Sequence, residues 1–287
     1  MSRWAALLAA TAMLGLTSIA DAAPGAKPQR VMSLNMCTDQ LLLQLLPASR
    51  ITSVTYLSQA FYRPLISAES AHVAVNYNSP EEVLAQHPDL VISGNVFSPG
   101  ARAVFRQAGI ALLELPFANG FDDIRAITRS VGRAVGEEDK ANTLLRGMDA
   151  TLAELKATLP NPRITVLGWD AGGNVPGPNT LFGEILDAAG AANVAEKTTD
   201  SVVYGSYANF DLEQLVALNP QAVLHSGSLG GRPDSLNQKI QHRVVRRLFE
   251  GRELTYPEVL YRCGLPQSAD AAKSLREGLV KIVGSRR

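Results

Sequence analysis

Two cysteines, four histidines and a scatter of aromatic residues are the side chains of this 287-residue chain that could carry chemistry. Cys37 and Cys263 lie near opposite ends of the sequence, and three arrangements are open to them: free thiols, a disulfide, or two soft ligands for a metal or haem-like group. A disulfide needs Cα atoms within about 7 Å, which only loops brought tightly together would allow. Free or ligand-contacting thiols are therefore the expectation. A thiol-dependent enzyme using Cys37 or Cys263 is the rival reading, yet neither cysteine has a histidine beside it, and no Gly-x-Ser-x-Gly, Cys-x-x-Cys or phosphate loop appears. His72, His87, His225 and His242 share no short metal-ligand spacing. His87 stands beside Pro88 at a helix end and His242 among Arg243, Arg246 and Arg247, so His225 is the one expected to reach a ligand. No metal site and no catalytic residue are expected.

The aromatics have a clearer pattern. Tyr56, Phe97, Trp169, Tyr204, Tyr207 and Tyr261, with Asn35 and Asn95, fall in or beside segments that follow short apolar runs. In a parallel α/β sheet, ligands sit beyond the carboxyl ends of the strands. Loops 35–38, 56–59, 95–98, 169–180, 226–232 and 256–266 occupy such places. Rings there can stack on a flat ligand or hydrogen-bond an anionic chelate, which is recognition and not proton transfer.

The positioning elements repeat. Arg30–Leu34 reads as a buried strand, Asp39–Leu46 as an apolar helix and Ile51–Tyr56 as the next strand; 57–78 gives no assignment. Ser79-Pro80-Glu81-Glu82 opens a helix through an N-cap, a proline at the first helical position and a glutamate three residues after the cap. A strand at 88–92, a helix at 101–108 and a strand at 110–115 complete a β/α alternation, and hence a parallel sheet. From Arg163 the order starts again. Asp211–Leu224 lies on Ser79–Ile92 without a gap at an offset of 132, and Leu181–Ala189 parallels Leu41–Ser49. A period this long means two lobes and not a solenoid.

Between the halves, Ile124, Ile127, Val131 and Val135 form one helical stripe, with Asp122 and Asp123 placed to cap it. Leu144, Leu145, Met148, Leu152, Leu155 and Leu159 form another, ended by Pro160 and Pro162, with Gly136 separating the two. The second helix would be roughly 30 Å long, a strut between lobes with a cleft beside it. The expected division is a signal peptide at 1–22, an amino-terminal lobe at 23–121, a helical link at 122–159 and a second lobe at 160–287. The signal is read from Arg3, the apolar run Ala5–Leu16 and the small-x-small pattern Ala20-Asp21-Ala22. No cysteine lies near that cut, so no lipid anchor is expected there, and no other apolar run could span a bilayer. With 27 basic and 27 acidic residues the chain has no field to collect nucleic acid or anionic lipid.

Arg30–Leu46, Ser79–Gly94, the strut and Asp211–Ser226 together resemble the periplasmic binding proteins of iron-siderophore and cobalamin ABC importers. The run ending Pro88-Asp89-Leu90-Val91-Ile92 is the most specific part. The resemblance implies two Rossmann-like lobes on one rigid backbone helix, with small closure on the ligand. It also implies a monomer in the periplasm that delivers a ferric siderophore, corrinoid or haem to a permease and its ATPase, with no cofactor of its own and no insertion into the membrane. The family's permease-docking glutamates fall on Glu81 and Glu213; each would otherwise be an acidic residue stabilised by the helix dipole. Cys37 and Cys263 are not part of the cobalamin binders' pattern.

Overall fold

The computed structural model describes residues 27–61, 72–94, 99–169, 174–176, 179–194, 207–209, 212–226 and 243–285. The expected signal peptide lies outside them. Two separate parallel sheets carry the fold. The first takes β1 (Val31–Ser33), β2 (Ile51–Thr55), β3 (Val75–Asn76), β4 (Leu90–Gly94) and β5 (Ala111–Leu115) in the order β3-β2-β1-β4-β5. The second takes β6 (Ile164–Trp169), β8 (Ala191–Asn193), β10 (Ala222–Ser226) and β11 (Glu253–Tyr256) in the order β11-β10-β6-β8. A short antiparallel pair, β7 (Asn174–Pro176) with β9 (Tyr207–Asn209), has no counterpart in the sequence reading. β1 and β4 are buried along their whole length, as strands covered on both faces must be, which is why they read as unbroken apolar runs.

The helices are α1 (Met36–Leu45), α2 (Tyr56–Phe61), α3 (Pro80–Gln86), α4 (Pro99–Gln107), α5 (Phe121–Val135) and α6 (Glu138–Ala157) in the first half. The second half adds α7 (Leu181–Ala189), α8 (Leu212–Leu218), α9 (Arg243–Leu248), α10 (Glu258–Arg262) and α11 (Ser268–Gly284). Segment 57–78, unassigned from sequence, thus supplies most of α2 and all of β3. The expected loop at 35–38 is instead the first turn of α1, because the Asn35 side chain caps it by accepting from the N–H groups of Cys37 and Thr38.

The duplication is present in backbone detail. α3 and β4 recur as α8 and β10 at the same offset, and the breaks between them, His87 and Asn219, are both left-handed, with φ of 46° and 40°. The capping box at α3 forms as expected: Ser79 Oγ accepts from Glu82 N–H, and the Glu82 carboxylate accepts from Ser79 N–H. Asp211, expected to cap α8, lies outside the described residues.

The segment expected as helix from 122 to 159 doubles back on itself. Arg125 of α5 pairs with Asp149 of α6 at 2.6 Å, whereas 24 residues of straight helix would hold them about 36 Å apart. Gly136, at φ 70°, makes the reversal. Gly132 permits the close packing, since a Cβ there would stand 2.5 Å from the Ala141 Cβ. Asp122 and Asp123 fall in the first turn of α5 and do not cap it; Gly120 is the N-cap. The single long helix joining the lobes is therefore α6. An arginine fixes each of its ends. Arg50 binds Glu137 Oε1 and the Val135 carbonyl at 2.6 Å each, and Arg276 of α11 donates to the carbonyls of Leu155, Ala188 and Ala189.

The outer face of each sheet is covered separately. Val83 and Phe105 close over Met32 and Val91 in the first, while Leu215, Val245 and Phe249 close over Leu167 and Val223 in the second. The inner faces do not make separate cores. One apolar cluster runs from Val31 and Leu42 through Val131, Leu145 and Leu155 to Ile185 and Leu279, so the two lobes and their connecting helices share a single interior.

Candidate functional site

In the first sheet the strand order reverses between β1 and β4, and the carboxyl ends on both sides of that point carry the candidate residues. At the β2 and β3 ends, Tyr56 and Tyr77 stack at 5.1 Å with 24° between their planes, and are 40% and 67% exposed. Two phenol rings stacked in the open offer an apolar face with polar tips. At the other edge Phe117, following β5, is also exposed. Tyr77 and Phe117 were missed from sequence, Tyr77 because β3 is two residues long, too short for an alternation to register.

Between these edges the second half of the chain comes down onto the first. Cys37, in the first turn of α1, is disulfide-bonded to Cys263, the residue that ends α10, with Cα atoms 4.8 Å apart. This overturns the expectation of free or ligand-contacting thiols. The two loops do not face each other across an open gap; the Cys263 turn packs on the lobe junction, where Gly264, at φ 51°, lies so near Ala118 that a Cβ would meet its Cβ at 2.2 Å. Gln267 donates to Gln44 at the same junction. These are the chain's only two cysteines, so the bridge leaves no thiol for ligation or for the thiol-dependent enzyme considered above. A crevice of about 50 Å³ remains there, lined by Asn35, Cys37, Gly94, Phe117, Ile127 and Leu265. It is far below the roughly 300–1,000 Å³ of a pocket for an organic ligand, so it is the floor of the junction and not a ligand chamber.

Tyr261 is a second correction. It packs with Tyr256 and Phe182 at ring separations of 4.5 and 5.3 Å and is 6% exposed, and burial pushes its phenol well above the usual range. It belongs to the core of the second half. Asn35 lines the crevice, but its carbonyl oxygen is engaged in capping α1. His225, the last residue but one of β10, lies directly beside Trp169 of β6 in the sheet register and is half-buried. Tyr207 lies in β9. Asn95, Phe97, Tyr204 and His242 lie outside the described residues. His87 is exposed at its helix break, and His72 is exposed ahead of β3. Glu81 and Glu213 are both exposed, each the second residue of its helix.

Beneath the tyrosine pair is a polar core that sequence reasoning did not find. Asp39, fully buried, accepts from Thr55 N–H at 3.1 Å, from the Thr55 hydroxyl and from the Ser58 hydroxyl at 2.6 Å, all on Oδ2. Burial pushes its carboxyl up to about 6, against the opposing pull of the Ser33, Ser58 and Thr55 groups. Asn76 Nδ2 donates to the Ser33 carbonyl and to Ser53 Oγ, at 2.9 Å each. Among the described residues no group of three or more His, Cys, Asp or Glu side chains could hold a metal ion, and no helix is long and apolar enough to cross a membrane.

Comparison with known proteins gives this architecture a family. Residues 68–248 match the family described as periplasmic binding protein. The chain belongs to that family. Its members bind solutes, and membership places the working site outside the cytoplasm. The chain is 27% identical over 207 residues to a cobalamin-binding protein of Halobacterium salinarum, an alignment covering 69% of this chain and 54% of that protein. It thus spans about half the length of the curated relatives it first matches. In structure it is similar to the periplasmic heme-binding protein RhuT of Roseiflexus sp. RS-1, with a TM-score of 0.70 at 20% identity, covering 88% of this chain and 98% of that one. It is also similar to a protein of the ABC-type Fe3+-hydroxamate transport system of Saccharomonospora viridis, with a TM-score of 0.68 at 18% identity, covering 88% and 93%. At these identities the likeness is one of fold.

Proposed function

We propose that this protein captures a metal chelate in the periplasm, a ferric siderophore, a corrinoid or haem, and delivers it unaltered to the permease and ATPase of an ABC importer. The carrying observation is the exposed Tyr56–Tyr77 stack at the carboxyl edge of the first sheet, a surface suited to the face of a flat ring or the apolar side of a chelate. Asn35, Asn95, Phe97, Trp169, Tyr204, Tyr207 and His225, from both halves of the chain, complete the proposed contact set. The family membership and the cobalamin, heme and Fe3+-hydroxamate relatives support a chelate as cargo. We read the protein as a monomer without a resident cofactor.

Delivery rests on Glu81 and Glu213. They occupy the same register of the duplicated helix, both exposed, so a permease could read the two lobes together, and binding that favours the closed form would present them in one fixed spacing. The test is native mass spectrometry of protein freshly isolated from the periplasm, paired with uptake assays. A bound mass of a corrinoid, a haem or a ferric siderophore is expected, and Glu81→Ala/Glu213→Ala should keep that cargo while losing permease-dependent uptake. Cargo of another class would overturn the chelate reading, and unchanged uptake in the double variant would overturn the docking assignment.

A further inference from the structure

The buried carboxylate of Asp39 has a placement that folding alone does not require. A carboxylate taken out of water without a cation is costly, and an apolar residue or an amide would serve the packing of α1 on the sheet at least as well. No charged residue other than Asp39 occurs in α1, β1, β2 or α2, whose one further titratable side chain in addition to the bridged Cys37 is the exposed Tyr56. The groups facing Asp39 are hydroxyls and a backbone N–H, and the nearby Gln40 amide donates to Ser58 Oγ at 3.2 Å. Beside the pull of the Ser33 hydroxyl, the three bonds accepted at Oδ2 come from Thr55 and Ser58. Tyr56 follows the first of these directly and shares a helical turn with the second.

Tyr77 is held from the same core. Asn76, immediately before it, is anchored to Ser33 and Ser53, and Tyr77 N–H donates to the Glu82 carboxylate at 2.8 Å. We propose that Asp39 is the positioning residue of the ligand platform: through Thr55 and Ser58 it fixes the backbone on both sides of Tyr56, and so sets the angle at which Tyr56 and Tyr77 meet a ring-bearing ligand. This rests on the chelate-capture reading above. Oδ2 already accepts three bonds while Oδ1 meets no partner among the described residues, so a proton arriving on Asp39 goes to Oδ1 and weakens the bonds at Oδ2. Mild acid then loosens Tyr56 without unfolding the lobe.

Two measurements separate this role from the parent reading. In ligand-free protein carrying 3-fluorotyrosine, the 19F resonance of Tyr56, assigned with Tyr56→Phe, should move with a midpoint near pH 6, and Asp39→Asn should abolish the movement. Cyanocobalamin and haemin titrations should show binding of whichever chelate the wild type takes weakened about tenfold in Ser58→Ala, the equivalent of one lost hydrogen bond, should the variant at Asp39 itself fold poorly. A Tyr56 resonance indifferent to pH between 5 and 7 would overturn the proposal even if both chelates bind. A resonance that titrates in a protein that binds neither of these two nor a ferric hydroxamate would keep the positioning role and sink the chelate reading.

Discussion

At the carboxyl edge of the first sheet Tyr56 and Tyr77 stand in the open, stacked on one another; at the same edge of the second sheet Tyr256 and Tyr261 are buried against Phe182. Tyr56, Tyr77 and Tyr261 follow parallel strands and Tyr256 ends one, and sequence position gave Tyr56 and Tyr261 the same role. What separates them is what lies on top. In the second half α7 brings Phe182 over the strand ends, and α10 and the turn into α11 carry the tyrosines inward. Nothing among the described residues covers the first pair in this way. An aromatic at a strand end serves recognition only where no later helix closes over it.

The largest effect should come from the buried side. Tyr261→Ala is expected to lose about 3–5 kcal/mol in urea unfolding, as large-to-small core changes do, while Tyr56→Ala stays within about 1 kcal/mol and affects binding instead. Equal losses would dissolve the contrast. The bridge that brings the second half onto the first is next: Cys37→Ser/Cys263→Ser should lower stability by about 2–4 kcal/mol, read from urea midpoints against the wild type with and without reductant.

On the open side, Asp39 gives a pH signature. Its folded value, about 6, lies above the ordinary 3.8, so between those values the native state holds a proton that the unfolded chain has released. Stability should therefore fall as pH rises from about 4 to 6, by no more than about 3 kcal/mol from this group. Asp39→Asn should flatten that slope; an unchanged slope would show that other groups produce it.

The smallest difference concerns the duplicated break itself. Arg30, exposed and just before β1, donates to the carbonyls of His87 at 3.0 Å and of Gln86. Arg252, 7% exposed and just before β11, donates to the Pro220 carbonyl at 3.1 Å and to Asn219 Oδ1 at 3.2 Å. Arginines from unrelated positions thus secure equivalent turns, one in water and one out of it. Arg252→Ala should cost about 2 kcal/mol and Arg30→Ala under about 1 kcal/mol in the same unfolding assay.

The elements legible in the sequence were those set by local chemistry. The Ser79 cap, the proline after it, the apolar runs of β1 and β4 and the 132-residue offset all survive into the structure because each is fixed within a few residues. Leu181–Ala189 is a helix with the expected bounds for the same reason. What could not be read depended on distant contacts. The Cys37–Cys263 pairing spans 226 residues and exists because the second half docks on α1. The strut expected after Gly136 is present as α6, but the sequence did not show that the chain reverses at Gly136, a choice made by Gly132 packing on Ala141 across it. Helix α11 was missed although Ala269, Ala272, Leu275, Leu279 and Ile282 recur at helical spacing; what the sequence does not show is that Arg276 holds it through carbonyls of α6 and α7. Asp39 looked like one acid in the first turn of an apolar helix; only the arrival of Thr55 and Ser58 shows its use.

The central claim is that the exposed tyrosine pair takes a metal chelate. Fluorescence titration of the wild type and of Tyr56→Ala/Tyr77→Ala with cyanocobalamin, haemin and a ferric hydroxamate tests it directly. The account predicts saturable wild-type binding of at least one of the three, weakened by about a hundredfold when both rings are removed, on the order of 1–1.5 kcal/mol per ring. Wild-type protein that binds none of them, or a double variant that binds as tightly as the wild type, would contradict it.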